Sequence, residues 1–320
     1  EMTIKHIAEE AHVSISTVSR VLNGKPDVNP ETRDKVLDVI EKLRYRPSGT
    51  ARNLALQRTN VIGFLARDLG DANFPELAKG VVAAARDREY SVMIFDSELN
   101  PEMEREATRI MESKEVDGII VPFFDEGLEE LEWLHKQGLP LVRIYRESPQ
   151  PEIPTIALDN VQSGISATEY LISLGHTRIA HMARDLSVYS GRERLDGYRT
   201  AMERHGLRVP TAYIVEAPAT KEGGHRAMHQ LLAVDPRPTA VFVSKDQMVI
   251  GAYEAAYEDG VAIPEDISIV GHDDIEAATV LRPKLTTMTT YRYRLGTAAV
   301  DLLFQEMVGG PGKPRVVFFT

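Results

Sequence analysis

The 320-residue chain contains no cysteine. That absence excludes a disulfide framework, a thiol nucleophile and any zinc site built on thiolates, and it fits a reducing, cytoplasmic setting. No apolar run approaches the roughly 20 residues that a membrane helix needs. Glu1-Met2-Thr3-Ile4-Lys5 leads into a charged helix, not the apolar core of a signal peptide. The phosphate-cradling patterns G-x-G-x-x-G and G-x-x-x-x-G-K-S/T are missing, as is the G-x-S-x-G nucleophile elbow. Gly309-Gly310-Pro311-Gly312-Lys313-Pro314 has the glycines, but a proline follows its lysine, so it reads as a loop before a strand. His225 and His229 have the spacing of a zinc pair on one helix face. Arg226 stands where H-E-x-x-H has its glutamate, and no third ligand is apparent, so two surface histidines are expected. No catalytic group, metal or cofactor is assigned, and no enzyme activity is expected.

Positive charge is also scarce. Lys and Arg number 37 against 48 Asp and Glu, a net charge of −11. The deficit is uneven. Residues 1–58 carry ten basic side chains against eight acidic ones, so a mildly basic head precedes a strongly acidic body. An acidic body repels phosphates and confines any contact with nucleic acid to the head. The length suggests two or three domains.

The head reads as three short helices. Ile4, Ile7, Ala8 and Ala11 recur at helical spacing behind Thr3, a candidate N-cap. The next helix is Ser14-Ile15-Ser16-Thr17-Val18-Ser19-Arg20-Val21-Leu22-Asn23-Gly24. Ser14 is placed to cap it and Gly24 to end it. Val18, Val21 and Leu22 form its apolar stripe, and Ser16, Thr17, Ser19 and Arg20 face outward. In the third helix Asn29 caps, Pro30 opens the first turn, and Val36, Leu37, Val39, Ile40 and Leu43 form a broad apolar face. Two short helices joined by a tight turn are the helix-turn-helix arrangement.

Beyond residue 58 the pattern alternates. Apolar strands at 61–66, 92–95, 116–122 and 139–145 are separated by amphipathic helices at 74–87, 102–113 and 128–137. The alternation restarts with helices at 163–174, 193–205, 221–233 and 247–259, and strands at 178–182, 213–215, 240–243 and 267–270. Two doubly wound parallel-sheet lobes follow, with a cleft between them. Ligands of such sheets sit beyond the carboxyl ends of the strands. The polar residues there are Asp68, Asn73, Asp96, Asp246, Asp273 and Asp274. Carboxylates and amides in that position suit a sugar or nucleoside, whereas Asp68 and Asp274 are expected to cap the helices that follow.

These motifs resemble the LacI/GalR repressors. The head carries Thr3-Ile4-Lys5-His6-Ile7-Ala8, Val13 to Gly24, Val28-Asn29-Pro30-Glu31-Thr32-Arg33 and Leu43-Arg44-Tyr45-Arg46-Pro47. The body carries Val116-Asp117-Gly118-Ile119-Ile120, Gly175-His176-Thr177-Arg178-Ile179-Ala180, Ser190 to Tyr198, Pro238-Thr239-Ala240-Val241-Phe242 and Ile269-Val270-Gly271-His272-Asp273-Asp274. The resemblance implies a DNA-binding head at 1–46 and a hinge at 47–58. It implies a first effector lobe at 60–158 with 290–320, and a second at 159–289, in a periplasmic-binding-protein-like body. Ile15, Ser16 and Arg20 would face base edges, while Ser14, Thr17, Ser19 and Asn23 would hold phosphates. In the hinge, Leu54 would wedge into the minor groove, with Ala51 beside it and Arg52 on phosphates. Effector contacts would fall on Phe74, Arg192, Lys245 and Asp273, with Asn73 and Asp246 nearby. Relatives often stack an aromatic on the ligand, where Ala219 stands here. Lys245 stands where some sugar-binding relatives have an amide, so the pocket would either be roomier or accept an acidic or phosphorylated ligand. A third crossing between lobes would follow the final strand, just beyond Thr320. The implied partners are near-palindromic duplex DNA, a small carbohydrate effector and a second copy of the chain, with a tetramer as the alternative to a dimer and no membrane. A free-standing sugar-binding module and a sugar-modifying α/β enzyme are the competing readings of the body alone.

Overall fold

The computed structural model describes residues 3–22, 25, 27–44, 58–98, 100–113, 116–122, 133–145, 153–309 and 316–319. They divide into two compact units, Glu1–Asn60 and Val61–Thr320.

The first unit holds α1 (Ile4–Glu10), α2 (Ile15–Leu22) and α3 (Pro30–Lys42). Ile7, Ala8, Ala11, Val18, Val21 and Val36 close a small core, flanked by Ile4, Leu22, Val39, Ile40 and Leu43. The Ser14 and Asn29 caps are where the sequence puts them, while Gly24 lies outside the described residues. The Ser14 hydroxyl accepts the Thr17 amide at 3.1 Å, and Asn29 accepts the Glu31 amide at 2.9 Å with Pro30 opening the helix. Leu37 departs from expectation: 46% of it is exposed. It lies one residue, about 100°, round the helix from buried Val36, so the packed face of α3 is narrower than its composition suggests.

The second unit runs β1 (Val61–Ala66), α4 (Phe74–Arg86), β2 (Ser91–Asp96), α5 (Pro101–Ser113), β3 (Gly118–Pro122), β4 (Leu141–Ile144), β5 (Thr155–Leu158), α6 (Asn160–Ser173), β6 (Ile179–Arg184), α7 (Tyr189–Arg204), β7 (Ile214–Ala217), α8 (Lys221–Leu232), β8 (Ala240–Val243), α9 (Asp246–Glu258), β9 (Ser268–Asp273), α10 (Ala277–Val280), β10 (Thr286–Thr289), α11 (Arg292–Gly309) and β11 (Val316–Phe319). The strands form a six-stranded sheet, β11-β5-β4-β3-β1-β2, and a five-stranded sheet, β10-β9-β8-β6-β7. Every pairing is parallel. Helices cover both faces of each sheet. On the first, α4 and α11 pack over Phe64 and Ile120, and α5 lies behind Leu65 and Val121. On the second, α8 and α9 pack over Val241 and Val243, and α6 and α7 over Ala240 and Phe242.

The chain leaves the first sheet after β5 and enters α6 at Asn160. It returns after β10, where α11 packs back on α4. β5, β10 and α11 are additions to the alternation read from sequence. Four-residue strands such as Thr155–Leu158 and Thr286–Thr289 are too short to carry a period. Phe74 stacks on Phe64 with ring centroids 5.4 Å apart, which ties the start of α4 to the sheet beneath it. That contact fixes the loop carrying Asp71 and Asn73.

Candidate functional site

Two groups of side chains stand out. The first is the outer face of α2. Ser14, Ser16 and Arg20 are exposed, Thr17 and Ser19 half-buried, and Ile15 keeps 48% of its surface in solvent. The Ser14 hydroxyl lies 2.7 Å from that of Ser16 and 2.8 Å from that of Thr17. This patch is small-featured, rich in hydroxyls and carries one guanidinium. Such a surface can approach a duplex closely, donate to phosphates and read a guanine edge. Arg20 is not idle here, since its guanidinium is ion-paired with Asp27 and both side chains are largely exposed. Asn23 and the hinge candidates Ala51, Arg52 and Leu54 lie outside the described residues.

The second group lies where the carboxyl ends of β1, β6, β8 and β9 meet across the two sheets. Its centre is Asp273, the last residue of β9, only 3% exposed. One carboxylate oxygen accepts from Arg292 at 2.8 Å and sits 3.1 Å from His272 Nδ1. The other accepts from the Asn73 amide at 3.2 Å. Burial alone would raise the Asp273 pKa. The His272 hydrogen bond and the Arg292 and Lys245 charges outweigh it and hold the carboxyl well below its ordinary value. Arg292 opens α11, reaches the Tyr145 hydroxyl at 3.2 Å and lies over that ring, 5.5 Å from its centroid. Lys245, at the end of β8, donates to Asp71 at 3.0 Å, and the Asp71 carboxylate also accepts the Asn73 amide. Three polar bridges thus join the lobes: Asn73 to Asp273, Arg292 to Asp273, and Lys245 to Asp71.

The backbone is bent to present this carboxylate. Asp273 and Asp274 have φ of 130° and 61°, in the left-handed region that non-glycine residues rarely enter. Asp246 fastens the bend. Its carboxylate accepts the amides of Asp274 and Ile275 at 2.8 and 3.2 Å and the Thr287 hydroxyl at 2.7 Å. Burial pushes its pKa up to about 6. Asp246 therefore holds its own lobe's loop, and both its oxygens are committed there. Asp68 and Asp96 do similar work in the other lobe, taking the amides of Gly70 and of Leu69 and Glu98. Of the other residues singled out in sequence, Asn73, Lys245 and Asp273 come together. Phe74 stacks on Phe64 and remains partly exposed. Arg192 is exposed, bonded to the carbonyls of Leu186 and Ser187 at 2.8 and 2.7 Å and resting near the Tyr189 ring.

Sequence reading passed over Asp71, Tyr145, Arg184, His272 and Arg292. Arg184 ends β6 and is half-buried; its Nη1 donates to the Ser190 hydroxyl at 3.4 Å, while its Nε is buried without a hydrogen-bond partner. It feels the charges of Asp273 and Asp71. Asp71, Arg184 and His272 were open to the strand-end rule; Arg292 and Tyr145 reach the cluster only through the tertiary fold.

Comparisons with known proteins agree with this architecture. Residues 3–48 match the model of bacterial regulatory proteins of the lacI family, and residues 168–320 that of a periplasmic binding protein-like domain. Catabolite control protein A of Priestia megaterium is 36% identical over 307 residues, covering 96% of this chain and 92% of that protein. The chain belongs to the lacI family of bacterial regulatory proteins. Another lacI-family relative, the ribose operon repressor of Escherichia coli K12, is 34% identical over 319 residues, with 95% of this chain and 93% of that protein covered. Among solved structures, the Lac repressor dimer bound to operator and the anti-inducer ONPF superposes with a TM-score of 0.89 at 29% identity, covering 99% of this chain and 96% of that one. The complex of the regulator CelR with cellobiose gives 0.75 at 27% identity, covering 100% and 97%. The family's two parts correspond to the two groups of residues described above, α2 in the first unit and the Asp273 cluster in the second. Among the described residues no helix is long and apolar enough to cross a membrane.

Proposed function

We propose that this chain is a transcription repressor. It reads a near-palindromic operator as a homodimer, and a small effector between its lobes, a sugar or sugar derivative, sets its grip on DNA. The lobes are assigned to 60–158 with 290–320 and to 159–289, joined to the head by a hinge at 47–58. The observation that carries the reading is the exposed face of α2, with Ile15, Ser16 and Arg20 outermost on a helix whose opposite side is the head's core. Each head takes one half-site, as two-fold symmetry requires. Effector binding alters the lobe angle, hence the spacing of the two hinges and the affinity for operator.

The cleft supports an effector with hydroxyls and an anionic group. Asp273 and Asn73 suit hydroxyl pairs. Lys245 and the half-buried Arg184 supply positive charge. The ligands named for relatives, cellobiose for CelR among them, extend to this chain only as a class.

The test is selection of preferred duplexes from a random pool by the full chain, followed by mobility-shift titration. The expected result is a two-fold-related site. Arg20→Ala should lose about 1–3 kcal/mol of discrimination per half-site and keep only salt-sensitive, unselective binding. Unselective binding by the parent, or an unchanged Arg20→Ala, would overturn the reading. A thermal-shift screen over sugars, sugar acids and sugar phosphates identifies the effector, and loss of the hit in Asp273→Asn would place it in the cleft.

A further inference from the structure

We propose that His225, His229 and Glu258 form a binding site for a divalent transition-metal ion such as zinc, with Asp259 as its outer support. This does not rest on the regulatory reading, because the groups involved belong to α8 and to the carboxyl end of α9, with Asp259 as its C-cap, and none of them is part of α2 or of the Asp273 cluster. The two histidines are one turn apart on α8. The missing third donor comes from a different helix: Glu258 is the last residue of α9. Its Oε2 lies 2.8 Å from His225 Nε2 and 3.4 Å from His229 Nε2. Donor atoms from all three residues fall within 4.8 Å of one another. Tetrahedral zinc with bonds of about 2.0–2.1 Å sets its ligand atoms roughly 3.3 Å apart. An ion can therefore enter among these three with small side-chain adjustments.

Two further features favour an ion over plain surface ion pairs. His229 turns its other nitrogen, Nδ1, to Asp259 Oδ2 at 2.8 Å. A carboxylate on the far nitrogen of a metal-binding imidazole fixes the tautomer, leaves Nε2 free to ligate and makes it more basic. The scaffold is also rigid. Lys221 bridges to Glu254 at 3.0 Å one turn before His225 bridges to Glu258, so α8 and α9 run in the same direction and their carboxyl ends come together. Both helix dipoles then present their negative ends to a cation. Gly224 and Gly251 hold the seam closed: a Cβ on either would overlap backbone carbonyl oxygen of the opposite helix. The ligands stay partly exposed, with side-chain accessibilities of 29%, 36% and 50% for His225, His229 and Glu258, so the ion has an entry path and water completes its coordination. The bound ion clamps α8 to α9.

The test uses tag-free full-length protein stripped with chelator and titrated with cobalt(II), then zinc(II). One equivalent of cobalt per chain should develop the intense visible absorption of a low-coordinate site, and zinc should displace it. Zinc should also raise the melting temperature. His225→Ala and His229→Ala should each abolish the cobalt spectrum. Asp259→Asn should weaken binding about 10- to 100-fold while keeping the spectrum. Parental melting behaviour of the metal-free variants serves as the folding control; if an alanine variant misfolds, Glu258→Gln takes its place and should likewise lose the spectrum. No visible band, half-saturation only at millimolar metal, or a band that survives in the His225→Ala, His229→Ala double variant overturns the proposal.

Discussion

Arg20 can serve one partner at a time. Its guanidinium is held by Asp27, yet the same group is the one proposed to read a base edge. An exposed pair of this kind contributes no more than about 1 kcal/mol, so DNA displaces Asp27 at small cost. Asp27→Asn removes that competitor and one negative charge from the DNA-facing side. It should tighten binding to operator and to unrelated duplex alike by a few-fold, with a steeper dependence on salt. Titrations at several salt concentrations check this, and weaker operator binding would mean instead that Asp27 holds Arg20 in its reading posture. Buried histidines carry a second prediction at this scale. His181 lies between Tyr198 and Phe242, and burial takes its pKa down to about 3; burial takes that of His272 to about 4. In the unfolded chain each would protonate below its ordinary 6.5. Acidification from 6.5 therefore favours the unfolded state through both. Asp246 opposes them: with a native value of about 6 against 3.8 unfolded, it takes its proton first in the folded state. His181→Phe removes one of the acid-sensitive groups. The slope of its unfolding free energy between pH 6 and pH 4 should be shallower than the parent's by about 1.4 kcal/mol per pH unit. Denaturant melts at several pH values measure it, and parallel slopes would refute it.

Helix pairs in the body meet at reciprocal glycines. Gly80 and Gly296 do this for α4 and α11, Gly164 and Gly197 for α6 and α7, and Gly224 and Gly251 for α8 and α9. A methyl at Gly251 would overlap the Lys221 carbonyl oxygen, a backbone atom that cannot swing aside. Gly251→Ala should therefore cost at least the 1–3 kcal/mol typical of overpacking and separate the His225–Glu258 seam, whereas Gly260→Ala has open space for its methyl but a φ of 65°. Thermal unfolding of the two variants checks which strain dominates; an undisturbed Gly251→Ala would show that the helices can part. Element identity was legible in sequence because caps, prolines and apolar periods are local. Ser14, Asn29 and Pro30 announced α2 and α3, strand ends announced Asn73 and Asp273, and Lys245 came only from the family resemblance. What escaped was long-range. Glu258 comes beside the histidine pair from the next helix, Arg292 reaches Asp273 from the other lobe, and Asp246, at a strand end, also fastens its own loop.

At the cluster the lobes are joined by charged and polar side chains. Lys245 is only 13% exposed where it meets Asp71. Burial would raise the Asp71 pKa, but the lysine's charge and hydrogen bond bring it below its ordinary value. The bridge is an ion pair, and the proposed effector would displace it by setting its anionic group on Lys245 and its hydroxyls on Asp71. If the bridge sets the lobe angle, Asp71→Asn and Lys245→Met should each change operator affinity in the same direction, within the roughly 5- to 150-fold range of allosteric couplings. The double variant should change it no more than the stronger single one, since both remove the same contact. Purely local damage gives a different pattern: lower melting temperatures with operator affinity untouched. Strictly additive shifts in affinity would likewise show that the two residues act on DNA binding by separate routes, and the lobe angle would have to be set elsewhere, by Arg292 and Asn73 on Asp273.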